Sequence, residues 1–424
     1  MQQSATENIQ TSNGENKMQH DAESSLTQPM VARVKLLTYM MFFVFAMTSD
    51  AVGVIIPELI KDYGLSMTQA SAFHYVPMLF IGLSGLFLGY LADKLGRKIT
   101  ICIGLLLFSL ASFSFAMVEQ FGAFVLLLSL VGMGVGIFKT GALALIGDVS
   151  DSSKQHTSTM NKAEGFFGVG AMIGPAVVSF LLISGVSWKY LYIIAGALCL
   201  TLCLIALTSK YPQVKKDSNE AINLKQTLAM VKNKYALGFS SAIALYVAVE
   251  VAIYVWMPSL FVDYQGSYIW LSTYAITVFF ALRAGGRFLG AWMLNHFAWQ
   301  SVLVVSTLFV ALSFLASVIF GVDAAIWALP ISGLFMSVIY PTLNSKAISC
   351  FPKQQHGAVA GVTLFFTALS AAIAPLLMGL TSDIFGHVYY GFYLATLFAV
   401  LLVLITLWNW RYDPASSVIE KNSN

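Results

Sequence analysis

The chain has 424 residues, 58% of them hydrophobic and only 10% charged, with a mean hydropathy of +0.77. Soluble domains carry about 25% charged residues, so too few charges are present to cover a soluble surface. Soluble enzymes, nucleic-acid binders and disulfide scaffolds are excluded, and the net charge of +3 gains meaning only from its placement along the chain.

Residues 1–35 are polar, contain no recognisable cleavable signal and read as a disordered cytoplasmic tail. Apolar runs follow at 36–60, 70–92, 99–118, 121–147, 164–184 and 188–208. They resume at 235–262, 268–294, 301–320, 324–349, 357–380 and 388–410. A membrane-crossing helix needs about 20 apolar residues, so the pattern predicts an all-α membrane protein of twelve spans. A six-span bundle at 36–208, a cytoplasmic linker at 209–234, a second bundle at 235–410 and a tail at 411–424 are expected. The linker holds Lys210, Lys215, Lys216, Lys225, Lys232 and Lys234, and its middle, 223–231, has the pattern of a surface amphipathic helix. The cysteines, Cys102, Cys199, Cys203 and Cys350, lie in or beside apolar runs without metal-ligand spacing and read as packing residues.

Cytoplasmic loops of membrane proteins are enriched in Lys and Arg. With both termini cytoplasmic, 18 of the 23 basic residues fall inside and only Lys61 and Lys189 outside; Lys139, Arg283 and Arg287 remain within spans. The two bundles also repeat each other. Val54–Pro57–Leu59 recurs as Val255–Pro258–Leu260, and Phe87–Leu88–Gly89 as Phe288–Leu289–Gly290, each 201 positions later. Gly174–Pro175 in span 5 recurs as Ala374–Pro375 in span 11, 200 positions later. A duplicated unit of this kind places a substrate site at mid-membrane between the halves.

The loop between spans 2 and 3 reads Gly89-Tyr-Leu-Ala-Asp93-Lys-Leu-Gly96-Arg97-Lys98. Gly89 allows close packing and Gly96 a tight turn. Asp93 can accept from a helix N-terminus or a basic residue, and Arg97 and Lys98 hold the loop to the cytoplasmic side. This stretch resembles the signature loop of the major facilitator superfamily. The resemblance implies alternating access, with the loop as a gate element that latches the halves when the transporter faces outward. Its counterpart in the second half, Trp292 to Gln300, lacks the charges. Further stretches, Thr48-Ser-Asp50 to Pro57, Leu245 to Glu250, Gly286 to Gly290, Ser337 to Thr342 and Met378 to Asp383, are similar to the fucose/glucose/galactose permease branch, mostly proton-coupled sugar symporters.

A charge at the centre of a membrane helix costs about 2.5–3.5 kcal/mol on insertion scales, so each needs a reason. Asp50 is the first candidate for proton coupling, the role the resemblance gives a span 1 carboxylate; the other reading is a static counter-ion to Lys139. Glu164, at the expected start of span 5, is a second coupling candidate and also fits a charge on a helix N-terminus. Lys139 stands where the branch commonly carries a carboxylate. It reads either as an ion-pair partner switching between Asp50 and Glu164 or as a point charge for an anionic substrate. Tyr246 and Glu250 share a helix face, as ring and polar group do again at Tyr340 and Asn344. With Asn161 and Lys139 these are the candidate substrate contacts. Arg283 is expected to pair with a carboxylate and Arg287 to reach the cytoplasmic interface. Trp256, Trp270 and Trp327 read as an interfacial belt, and His74 as a packing residue.

The expected function is secondary active import of a monosaccharide driven by the proton gradient. Import of hexuronates or other organic anions, multidrug or metabolite efflux and sodium coupling are the alternatives. No nucleotide motif, metal cluster or nucleophile–base arrangement is present, so neither an enzyme nor a cofactor is expected. The expected partners are a sugar-like small molecule, a proton and the lipid bilayer, with no nucleic acid and a monomeric state. The expected location is the cell membrane.

Overall fold

The structure, a computed structural model, describes residues 28–88, 91–149, 153–211, 230–352 and 355–423. Gly89, residues 1–27 and nearly all of the expected linker helix lie outside the described residues, as do the side chains of Asp93 and Asn161. Hydrocarbon offers no partner for backbone N–H and C=O groups, so apolar runs of this length satisfy them internally as helices. Eleven described helices are long and apolar enough to cross a membrane. The remaining span, Ala72–Leu88, has 17 residues and runs up to the undescribed Gly89.

Span 1 comprises Gln28–Ser49 and Val52–Tyr63, so its helix begins inside the stretch expected as a tail. After Ala72–Leu88 come Arg97–Ser114, Phe121–Asp148, Ser153–Ile183 and Lys189–Thr208 as spans 3 to 6. Span 7 comprises Lys234–Val251, a wide π turn at Ala252–Trp256, and Met257–Phe261. Spans 8 to 12 are Ile269–His296, Trp299–Phe320, Val322–Ser349, His356–Phe385 and Tyr389–Tyr412. A last helix, Ser416–Ser423, packs against span 10.

Within each half, small residues bring backbones into contact, as membrane helix packing favours. Gly170 and Gly174 of span 5 face the carbonyls of Phe43 and Met47 in span 1, where a Cβ would collide with backbone. Gly286 of span 8 and Gly333 of span 10 do the same for the second half, against Leu334 and Phe279. Gly132, Gly134 and Gly136 seat span 4 on spans 2 and 3.

Between the halves, the contacts gather toward the face opposite the chain termini. Proline lacks an N–H and clashes with the carbonyl four residues back. Pro57 therefore disturbs span 1 at Gly53, and the helix is interrupted just before, at Asp50 and Ala51. Pro258 does the same to Tyr254, which lies in the π turn of span 7. Gly53 and Tyr254 are 201 positions apart, and the carbonyl of Tyr254 occupies the place a Cβ on Gly53 would take. The repeat seen in the sequence thus becomes the crossing of spans 1 and 7, with the missing side chain on one helix making room for the carbonyl freed on the other. Nearby, Ser179 Oγ of span 5 donates to the Thr273 carbonyl of span 8 at 3.0 Å. Toward the terminal face Arg287 is exposed, while Lys139, Glu164, Tyr340 and Asn344 are half-buried.

Candidate functional site

Asp50 sits at the interruption of span 1, 6% exposed. Its carboxylate accepts from the Ser49 hydroxyl at 2.9 Å, and among the described residues no cation lies within ion-pair distance. Arg283, Glu250 and Lys139 are all within electrostatic range.

Across from it, Arg283 Nη1 of span 8 pairs with Glu250 Oε1 of span 7 at 2.5 Å. The guanidinium also lies 5.9 Å from the Phe280 ring centre. Tyr246, one turn before Glu250, is 1% exposed and its hydroxyl is buried on the Glu250 side of the helix. Its ring lies 6.1 Å from that of Tyr340 in span 10, which brings the two expected aromatic contacts together. Asn344 follows one turn along the same helix toward the terminal face.

Lys139 differs from expectation. It makes no ion pair with Asp50 or Glu164 among the described residues; its ammonium lies 5.1 Å from the Phe45 ring centre and 5.7 Å from that of Phe42. Both carboxylates act on it only at longer range. Aromatic faces attract a cation by their quadrupole, which lets spans 1 and 4 hold the charge without a carboxylate. Tyr39, Phe166 and Phe167 extend this aromatic wall. Glu164 also differs: span 5 begins at Ser153, so Glu164 lies turns inside the helix. The dipole effect falls off within the first turn and does not explain it. Glu164 is instead within electrostatic range of Lys139 in its own half and of Arg287 and Tyr340 in the other.

The described part of the signature loop makes several contacts within its own half. Gly96 has a φ of 86°, which favours glycine. Arg97 Nε bonds Asp148 Oδ2 at 2.8 Å, joining the start of span 3 to the end of span 4. Lys98 Nζ donates to the carbonyls of Leu207 and Ser209 at 2.6 and 3.0 Å, closing the C-terminus of span 6. Lys189 likewise donates to the Val118 carbonyl. Trp256 corrects the interfacial reading: it is 1% exposed and its indole donates to the Pro375 carbonyl at 3.2 Å. Trp270 and Trp327 are exposed. His74 is buried, edge-on to Tyr254 at 5.4 Å. Its ring lies by the Ala371 carbonyl, which Pro375 deprives of a helical donor, though neither ring nitrogen reaches hydrogen-bond geometry.

Sequence reasoning missed Phe42, Phe45 and Phe280 as partners of the buried cations. The signal was present as aromatic residues on spans that already carried candidate charges, but apolar runs are full of phenylalanine.

Two pseudo-symmetric six-span halves around a mid-membrane cluster of charges and tyrosines define a multi-pass membrane transporter. The sequence profile of the Major Facilitator Superfamily matches residues 38–375. The chain belongs to that superfamily and is a secondary transporter, not an enzyme. It is 27% identical over 390 residues to the Quinolone resistance protein NorA of Staphylococcus aureus (strain MRSA252), covering 89% of this chain and 97% of that protein. It is 23% identical over 402 residues to the L-fucose-proton symporter of Escherichia coli (strain K12), covering 82% and 86%. The bacterial homolog to the human lysosomal transporter Spinster, solved in an inward-facing and occupied conformation, shares the fold with a TM-score of 0.75 at 15% identity, over 91% of this chain and 98% of that one.

Proposed function

We propose that the protein is a proton-coupled monosaccharide symporter of the cell membrane, with both termini cytoplasmic. The observation that supports it most is Asp50, a carboxylate enclosed where spans 1 and 7 cross and facing a second carboxylate already committed to Arg283. An ionised carboxylate in an apolar setting without a counter-ion is costly, and binding a proton removes the charge. Tyr246, Tyr340 and Asn344 offer hydroxyl, ring and amide groups suited to a sugar's hydroxyls and C–H faces. Asp50 takes up a proton, sugar binds between the halves, the halves rock, and both are released on the other side. The likeness to a fucose-proton symporter agrees with this reading.

Efflux of apolar, aromatic compounds is the second reading. It is favoured by the wall of Tyr39, Phe42, Phe45, Phe166 and Phe167 around Lys139 and by the likeness to a quinolone resistance protein. An anionic substrate such as a hexuronate seated on Lys139 is the third.

The test adds neutral hexoses, 6-deoxyhexoses, amino sugars and hexuronates to de-energised, lightly buffered cells while external pH is recorded. The expected result is alkalinisation by a neutral sugar in wild type and none in Asp50→Asn. A response to uronates alone, lost in Lys139→Met, would move the substrate to the anionic class. Labelled sugar entering both proteins without a pH change would overturn proton coupling. No sugar response, with quinolone accumulation rising when the protein is removed, would establish efflux instead.

A further inference from the structure

Asp383 lies at the end of span 11, on the face opposite the termini and far along the chain from the connection between spans 1 and 2 that it touches. Its Oδ1 accepts from the Met67 backbone N–H and its Oδ2 from that of Thr68, each at 2.8 Å. Those two amides open the short helix Met67–Ala70.

A helix leaves its first N–H groups without internal partners, and here each can be followed. Gln69 N–H goes to the Ser66 hydroxyl and Ser66 N–H to the Gln69 side chain, a reciprocal capping box. Ala70 N–H returns to the Ser66 carbonyl. Only Met67 and Thr68 remain, and both are satisfied by a carboxylate from the other half of the protein. One turn before Asp383, Gly379 presses against the same segment; a Cβ there would meet the Met67 carbonyl and Thr68. The carboxylate is exposed at the rim, away from the buried charges that serve the substrate site.

Among the described residues, side-chain hydrogen bonds cross between the halves here and at Ser179 to Thr273, all near the same face. We propose that Asp383 is the latch that holds the two halves closed on the face opposite the termini. The bonds must break whenever that face opens, so the latch sets the balance between the two access states without touching substrate or proton. The inference rests on the alternating-access reading, but its test needs neither substrate nor proton gradient.

The reporter is Ala371→Cys, on span 11 where it meets His74 of span 2; Ala371 is 8% exposed. The four native cysteines are buried and serve as background. The rate of reaction with a polar maleimide is measured on purified protein in nanodiscs, alone and with Asp383→Ala. A second variant, Met67→Pro, removes one donor while keeping the helix. Ser66 already has the extended backbone, φ −71° and ψ 160°, that precedes proline, and Met67 is the first helical position, where proline is tolerated. Labelling is expected to rise about fivefold in Asp383→Ala, which corresponds to about 1 kcal/mol, and by a smaller factor in Met67→Pro. Wild-type rates in both variants would overturn the latch. If Asp383→Ala does not fold, Met67→Pro decides alone. Faster labelling without any sugar-driven pH change would leave the latch standing and remove the symport reading.

Discussion

Charged side chains in the membrane are legible in a sequence because each interrupts an apolar run, and Asp50, Lys139, Glu250 and Arg283 were all marked that way. That Arg283 needs a carboxylate was legible too; which carboxylate it takes was not, because a partner is chosen by which helix faces which. Glu250 went to Arg283, Lys139 went to phenylalanine rings, and Asp50 took a serine hydroxyl. Removing one partner of a buried pair strands the other charge, at a cost of about 3–5 kcal/mol. Glu250→Gln is therefore expected to lower thermal stability in detergent strongly, and Glu250→Gln with Arg283→Gln to recover much of it. A double variant as unstable as the single one would show that the pair is not an isolated unit. Asp50→Asn, which keeps shape and the contact with Ser49, is expected to leave stability close to wild type.

At the scale of the helix, twelve spans and nearly all their limits follow from hydropathy, but the defects within them acquire meaning only in pairs. Pro57 and Pro258 were visible as a repeat; that each loosens its helix where the other helix must pass was not. Gly53 makes the crossing testable. Gly53→Val would drive a side chain into the Tyr254 carbonyl, and overpacking of this kind costs about 1–3 kcal/mol. The variant is expected to fold but to favour the state in which spans 1 and 7 separate, read as faster maleimide labelling of Ala371→Cys. Unchanged labelling would mean that the crossing relaxes around the new side chain. Span 5 shows the opposite limit of sequence reading: its polar first turns, from Ser153, lack the apolar signal that marks a span, so Glu164 was taken for a helix start.

For the whole molecule, the halves are firmly packed internally and joined toward one face. Ser179 and Thr273 lie on opposite sides of that joint. A Ser179→Cys, Thr273→Cys pair is expected to cross-link under mild oxidation, to abolish transport while oxidised and to regain it on reduction. Transport that continues in the cross-linked protein would mean that this joint does not open during the cycle. In the signature loop, Arg97 reaches Asp148 at the end of span 4 and Lys98 the carbonyls that close span 6.

By itself the sequence determined the membrane class, the twelve spans, the duplication, the superfamily resemblance and the list of charges that need explaining. Each is written along the chain, in hydropathy, spacing or residue type. Only the tertiary structure decided that Glu250 rather than Asp50 holds an arginine, that Lys139 rests on aromatic rings, and that Asp383 caps a helix in the other half. Those contacts join residues far apart in sequence, and within a membrane the energy of a charge depends less on its own position than on what the neighbouring helix places beside it.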